Sequence, residues 1–321
     1  MRVNLAVTPQ KTQPRVRPFD FPESVLDCLW YVCPWVALDR AFFFYIIESM
    51  NKEQFAALKT FRDEYKKKCD EWSALATQLV PLQKAAAKGD TPDYPIETPV
   101  VYNTALDEIT QDDDIKIIVI GDNPGKDEQR AKNQKYLVGQ AGKIAQGFFA
   151  RHPSLGVDFR KNAIILNKTP VHSAKTKHLK FIAAQSAAAR DLIMQSQLWL
   201  AQKTAELSAG IGAQIWLVGY AELKDKGIFA PYRDKLKEAA QKLQTDKKAA
   251  GQKSQTGQEA AATVWDSLFV FQHFSMNRFL IDLRDFCAKE GGLDPSGGFD
   301  EGALAKKIAA LGRRRRDEIF G

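Results

Sequence analysis

Residues Ile115–Ile120 read IKIIVI and run directly into Gly121-Asp122-Asn123-Pro124-Gly125. The run is rich in β-branched residues and too short for a helix, so it reads as a buried strand ending in a tight polar turn. Three further runs follow the same design. Ala163–Leu166 (AIIL) leads into Asn167-Lys168-Thr169-Pro170, Ile215–Val218 ends at Gly219-Tyr220, and Leu268–Phe271 (LFVF) leads into Gln272-His273-Phe274-Ser275. Helix-like stretches separate the four, the pattern of a parallel sheet with right-handed crossovers. The expected fold is therefore three-layer α/β/α around a four-stranded, mostly parallel sheet, with an N-terminal helical extension. Parallel strands all end at one edge, where open α/β folds bind ligands. Asp122, Asn123, Asn167 and His273 are thus expected to be neighbours in space.

Residues 1–94 read as a polar, proline-containing arm followed by helices. Lys52–Lys88 is rich in Ala, Leu, Lys, Glu and Gln, with Pro81 its strongest breaker, so it suits one or two long helices. The α/β domain is placed at 95–290, with Lys180–Leu207 as a long helical stretch. Within it, residues 240–262 are a low-complexity run expected to form a mobile surface insertion. Residues 291–321 read as a C-terminal tail containing Arg313–Arg316. That run is expected either as a solvated tail or as a phosphate-binding arm.

The chain has 321 residues, 45% of them apolar and 26% charged, with a formal net charge of +7. The balance suits a soluble globular protein and mildly favours acidic partners such as nucleic acid. The stretch from Val25 to Ile47 is apolar, but Asp27, Pro34, Asp39 and Arg40 interrupt it too often for a membrane span. It reads as a helical hairpin broken at Pro34. With no signal peptide visible, the cytoplasm is the expected location. Cys28, Cys33, Cys69 and Cys287 form no Cys-x-x-Cys pair, and His152, His172, His178 and His273 lack ligand spacing. No metal site and no cofactor is expected.

The turn after the first strand is not a nucleotide-triphosphate loop. That motif needs four residues between its glycines and a Ser or Thr after its Lys. Here three residues intervene and Asp127 follows Lys126. Gly139-Gln140-Ala141-Gly142-Lys143-Ile144 fails on the same two counts. The turn offers instead two glycines for close backbone approach and two short polar side chains. Its backbone N–H groups suit an anion or a carbonyl oxygen, although Asp or Asn capping the next helix would explain it as well. Asn167 carries both a donor and an acceptor on one amide, enough to read a pyrimidine edge or to satisfy local backbone. His273 suits charge stabilisation, proton transfer or a buried structural contact.

In combination these segments resemble the uracil-DNA glycosylase superfamily over roughly residues 110–285. Gly121-Asp122-Asn123-Pro124-Gly125 is similar to that family's water-positioning loop, and Tyr136-Leu137-Val138-Gly139-Gln140-Ala141-Gly142 to its Phe-Val-Gly-x-Ala-Gly segment. Ile164–Asn167 is similar to the strand that ends in the uracil-reading Asn. His273-Phe274-Ser275-Met276-Asn277-Arg278 is similar to the His-Pro-Ser-Pro motif. The chain departs from the family in three ways. The four cysteines of the iron–sulfur branch are missing, so no cluster is implied. Leu137 stands where a Phe stacks on uracil, and Phe274 and Met276 replace the two prolines.

The resemblance implies an enzyme that flips uracil out of DNA, single- or double-stranded, and hydrolyses its glycosidic bond as a monomer without a cofactor. His273 would stabilise the charge growing on uracil O2, helped by backbone N–H groups of the Gly121–Gly125 loop. Asn167 would read the O4 and N3–H edge. Asp122 or Asn123 would hold the attacking water, Leu137 or Tyr136 would cover the base face, and Ser275 would line the site. Phe274, Met276, Asn277 and Arg278 would contact DNA. A non-catalytic DNA- or protein-binding module on the same fold, or a hydrolase of free nucleosides, fits the same residues.

Overall fold

A computed structural model describes residues 49–249 and 263–321. Four strands, β1 (Ile117–Gly121), β2 (Ala163–Asn167), β3 (Gln214–Val218) and β4 (Leu268–Phe271), form one all-parallel sheet in the order β2-β1-β3-β4. Every strand residue is buried, which is why each strand reads as a continuous apolar run rather than an alternation. The alternation survives between the two faces. Ile118, Ile120, Ile164, Leu166, Ile215, Leu217, Leu268 and Val270 enter one core cluster; Ile117, Val119, Ile165, Trp216, Val218, Phe269 and Phe271 enter the other.

The first cluster is covered by α1 (Lys52–Ser73), α2 (Ala76–Ala87), α4 (Lys177–Gln185), α5 (Ala187–Ile211) and α6 (Ala230–Ala249). The second is covered by α3 (Gln140–Arg151), α7 (Arg278–Glu290) and α8 (Glu301–Phe320). This is the expected three-layer α/β/α arrangement.

The helix boundaries differ from the sequence expectation for local reasons. The break between α1 and α2 falls at Ala74–Leu75, and Pro81 sits inside α2. The long stretch after Asn167 splits at Ser186, whose side chain accepts the Ala189 N–H and caps α5. Residues 240–249, expected as the start of a mobile insertion, continue α6, and Ala239 and Ala240 are buried. Ala, Lys, Gln and Leu are all good helix formers, so low complexity did not mean absence of structure there. Residues 250–262, together with the arm and apolar hairpin expected within residues 1–48, lie outside the described residues.

The C-terminal tail is also corrected. Residues 301–320 form a helix laid on β4, with Gly312 so close that a Cβ there would come within 2.7 Å of Phe271 Cζ. The Arg313–Arg316 run is neither a loose tail nor a free arm. Arg315 pairs with Asp282 and Glu318, Arg316 donates to the Trp265 carbonyl over its ring, and Arg313 lies over Phe269.

Candidate active site

β1 pairs with β2 on one side and β3 on the other, so the crossovers leave β1 and β3 toward opposite faces. The gap at their C-terminal ends is the topological switch point, the usual ligand position of such sheets. Gly121 stands opposite Asn167 across β1 and β2, and Val218 opposite Phe271 across β3 and β4. Strands about 4.8 Å apart set the ends of β2 and β4 roughly 14 Å apart. Asn167 and His273 therefore flank the gap from its two sides.

Asn167 is buried, and its Nδ2 donates to nothing among the described residues. An unspent buried amide donor is costly and rare in folded proteins. Its Oδ1 lies where a Cβ on Gly121 would be, 2.4 Å away, which explains why position 121 holds glycine.

His273 is partly exposed just past β4. The Ser275 backbone N–H donates to its Nδ1 at 3.1 Å, and Ser275 Oγ lies 2.7 Å from the same nitrogen. A backbone N–H can only donate, so Nδ1 is the acceptor and the neutral ring carries its proton on Nε2. Burial holds the pKa of His273 below its usual value; Asp122 opposes this and Lys168 reinforces it. The ring is thus a neutral donor whose Nε2 makes no hydrogen bond among the described residues.

The switch point itself is filled by a residue the sequence reading passed over. Lys168 is wholly buried, and its ammonium donates to Asp122 Oδ1 at 2.6 Å, Val218 O at 2.5 Å and Gly121 O at 3.3 Å. Three acceptors use its three donors and tie the ends of β1 and β3 together. Burial lowers its pKa, with Asp122 opposing. Asp122 Oδ2 accepts from Thr176 Oγ1 at 3.1 Å, so both carboxylate oxygens are engaged. Gly219, at φ +96°, leaves the room Asp122 needs: a Cβ there would lie 2.2 Å from Oδ1. Asp122 is therefore a poor free base.

Asn123 spends its Nδ2 on Ser173 Oγ (2.9 Å) and the carbonyls of Ser173 (3.0 Å) and Pro124 (3.2 Å), leaving its oxygen as the acceptor. His172 is buried behind this loop. Its Nδ1–H donates to Pro124 O at 2.8 Å, Nε2 accepts from Tyr94 Oη at 2.9 Å, and burial lowers its pKa to about 4.

Three predicted contact residues are turned away from the gap. Tyr136 is in the core, donating from Oη to Val101 O at 2.5 Å and accepting from Tyr65 Oη at 2.7 Å. It cannot cover a base as placed. Phe274 is fully buried against Phe159 and Phe279, so it is a core residue rather than a DNA contact. An aromatic ring gains more from the core than from water. Leu137 is also buried, in a left-handed conformation at φ +51°. Met276, Asn277 and Arg278 do project: all three are exposed, and Met276 and Asn277 hold φ +54° and +56°. Gly125 contributes its N–H to Glu128 rather than to the gap.

Two more residues went unread in sequence. Glu128 is buried beside Gly125, and Arg160 Nη2 donates to Leu137 O at 2.6 Å. A glutamate three positions past a glycine turn is the signal that points to the first; nothing near Arg160 marks it.

Among the described residues no group of three or more His, Cys, Asp or Glu side chains is placed to hold a metal, and Cys69 and Cys287 are buried free thiols. No described helix is long and apolar enough to cross a membrane. The fold and site define an open α/β protein with an unspent amide and a neutral imidazole at its ligand edge. No protein-family model, curated protein or solved structure matches the chain.

Proposed function

We propose that this protein is a uracil-DNA glycosylase-like N-glycosyl hydrolase, removing uracil or a related deaminated base from DNA. The observation that carries the reading is the pairing of two unspent donors at one sheet edge, Asn167 Nδ2 and His273 Nε2–H. Uracil presents two carbonyl oxygens on opposite sides of N3, which suits one donor reaching in from each side of the gap. Asn167 reads O4 and, through its oxygen, N3–H. His273 donates to O2, where negative charge grows as the C1′–N1 bond breaks. A neutral, pre-oriented imidazole performs this without giving up its proton.

Water attacks the oxocarbenium-like sugar from the side of the first loop. The Asn123 oxygen orients it, since Asp122 is held by Lys168 and Thr176. The exposed Met276-Asn277-Arg278 turn meets the DNA beside the flipped base, with Arg278 on phosphate. The protein acts as a monomer in the cytoplasm, in base excision repair. The engagement of both Asp122 oxygens favours a second reading, a non-catalytic lesion-binding module on the same fold.

Release of uracil from single-stranded and duplex DNA, and from free deoxyuridine, separates these readings. Release from DNA but not from the nucleoside is expected. Tight binding without release supports the binding module, and release from the nucleoside alone supports a small-molecule hydrolase.

A further inference from the structure

We infer that Glu128 is a positioning residue that latches the Gly121–Gly125 loop, which borders the ligand gap, to the buried Leu137 turn and so fixes that loop in place. The inference rests on the glycosylase reading only for what the loop helps to bind.

Glu128 Oε2 accepts the Gly125 N–H at 3.1 Å, and Oε1 accepts the Leu137 N–H at 2.8 Å. One carboxylate thus bridges two loops that no strand or helix joins. Its second contact is on a strained residue. Leu137 holds φ +51°, a conformation a branched side chain adopts at a cost of order 1 kcal/mol or more unless its surroundings enforce it. The surroundings grip it at both ends: Glu128 takes its N–H and Arg160 donates to its carbonyl at 2.6 Å. Gly142 completes the vice, since a Cβ there would fall 1.4 Å from the Leu137 carbonyl oxygen.

The latch is buried, with Glu128 only 8% exposed. Burial is the largest cause that raises its carboxyl, to about 7 overall. Within that balance the two N–H groups lower it, Asp127 on its own turn raises it and Arg160 lowers it. The ionised carboxylate accepts at both oxygens. The protonated acid must present one oxygen as a donor, and neither backbone N–H can receive it. Protonation therefore weakens one side of the latch, since the hydroxyl oxygen is the poorer acceptor and its proton must turn away from the N–H.

The test uses the full chain and two readouts. The first is the hydrogen-exchange protection factor of the Gly125 and Leu137 amides, corrected for intrinsic exchange, from pH 5.5 to 8.5. Protection at both amides is expected to rise through a shared midpoint near 7 in the wild type, and the step to vanish in Glu128→Gln. The second is uracil excision, where Glu128→Gln should lower kcat about 10²-fold with KM little changed, the scale of a small misplacement of a reacting geometry. Flat protection across the range in the wild type overturns the latch, as does wild-type protection and kcat in the variant. If Glu128→Gln does not fold, the wild-type exchange profile alone decides. If the wild type releases no uracil, the functional reading fails while the exchange profile still judges the latch.

Discussion

Lys168 Nζ lies 2.6 Å from Asp122 Oδ1 at the point where the strand order of the sheet reverses, with no part of the lysine exposed. The pair sits where an open α/β protein would place its ligand, and the remaining ammonium donors hold two strand-end carbonyls. Lys168→Met is expected to destabilise the fold by about 3–5 kcal/mol, because it strands a mostly enclosed carboxylate and leaves two buried strand-end carbonyls unpaired. The double variant with Asp122→Asn should recover at least about 1 kcal/mol of the summed loss. Urea denaturation of the two single variants and the double variant measures this, and strict additivity would mean the pair is not coupled.

His273 is the residue on which the proposed chemistry depends most directly. His273→Ala should slow single-turnover uracil excision by about 10²–10³-fold while leaving DNA binding nearly intact. Ser275→Ala keeps the backbone donor to Nδ1 and should cost far less. A His273→Ala rate within about threefold of wild type, well below that range, assigns the ring a structural role.

Gly121 and Gly125 belong to one turn but have opposite tolerances. A Cβ on Gly121 meets Asn167 Oδ1 at 2.4 Å, whereas one on Gly125 meets nothing within 4 Å. Gly121→Ala should therefore displace the Asn167 amide, lowering excision about 10²-fold, with about 1–3 kcal/mol of lost stability. Gly125→Ala should resemble the wild type in both. Equal effects of the two substitutions would detach Asn167 from the site.

The buried acid and the buried base behind the loop pull stability in opposite directions. Glu128 has its pKa raised from 4.5 to about 7, so it binds its proton more tightly when folded, and its contribution falls as pH rises through that interval. His172 has its pKa lowered from 6.5 to about 4, so its contribution is complete above 6.5 and falls as pH drops toward 4. Each is worth up to about 3 kcal/mol, and the two nearly cancel in the wild type. His172→Gln should lose stability from pH 4.5 to 7, and Glu128→Gln should gain it. Denaturant midpoints at the two pH values decide; matching slopes in both variants would refute the opposition.

Much of this fold could be read before the structure. The four apolar runs became the four strands because strands buried on both faces need continuous apolar sequence, and few other elements look like that. Strand ends then brought Asn167, Asp122 and His273 to one edge without further information. Side-chain direction was not readable. Tyr136 turns inward because Tyr65 on α1, far away in sequence, offers its hydroxyl a partner. Phe274 turned inward for lack of any reason to face water. Lys168 was invisible as a site residue because a lysine after a strand normally reaches solvent, and only the carbonyls of Gly121 and Val218 reveal why this one does not. The Arg313–Arg316 run looked disordered because its partners, Asp282, Trp265 and Phe269, are supplied by tertiary packing.

The docking of α8 on β4 also shapes how the chain must be made. Phe269 and Phe271 pack beneath Gly312 on a helix that ends at Phe320, 49 positions after Phe271. A ribosome adding about 5–20 residues each second leaves that aromatic face of the nascent sheet uncovered for roughly 2–10 s. During that interval the strands can pair, but their outer surface is open to any passing apolar segment. Slowing translation between codons 272 and 301 should lengthen the exposure and raise chaperone association, with no change in the finished fold.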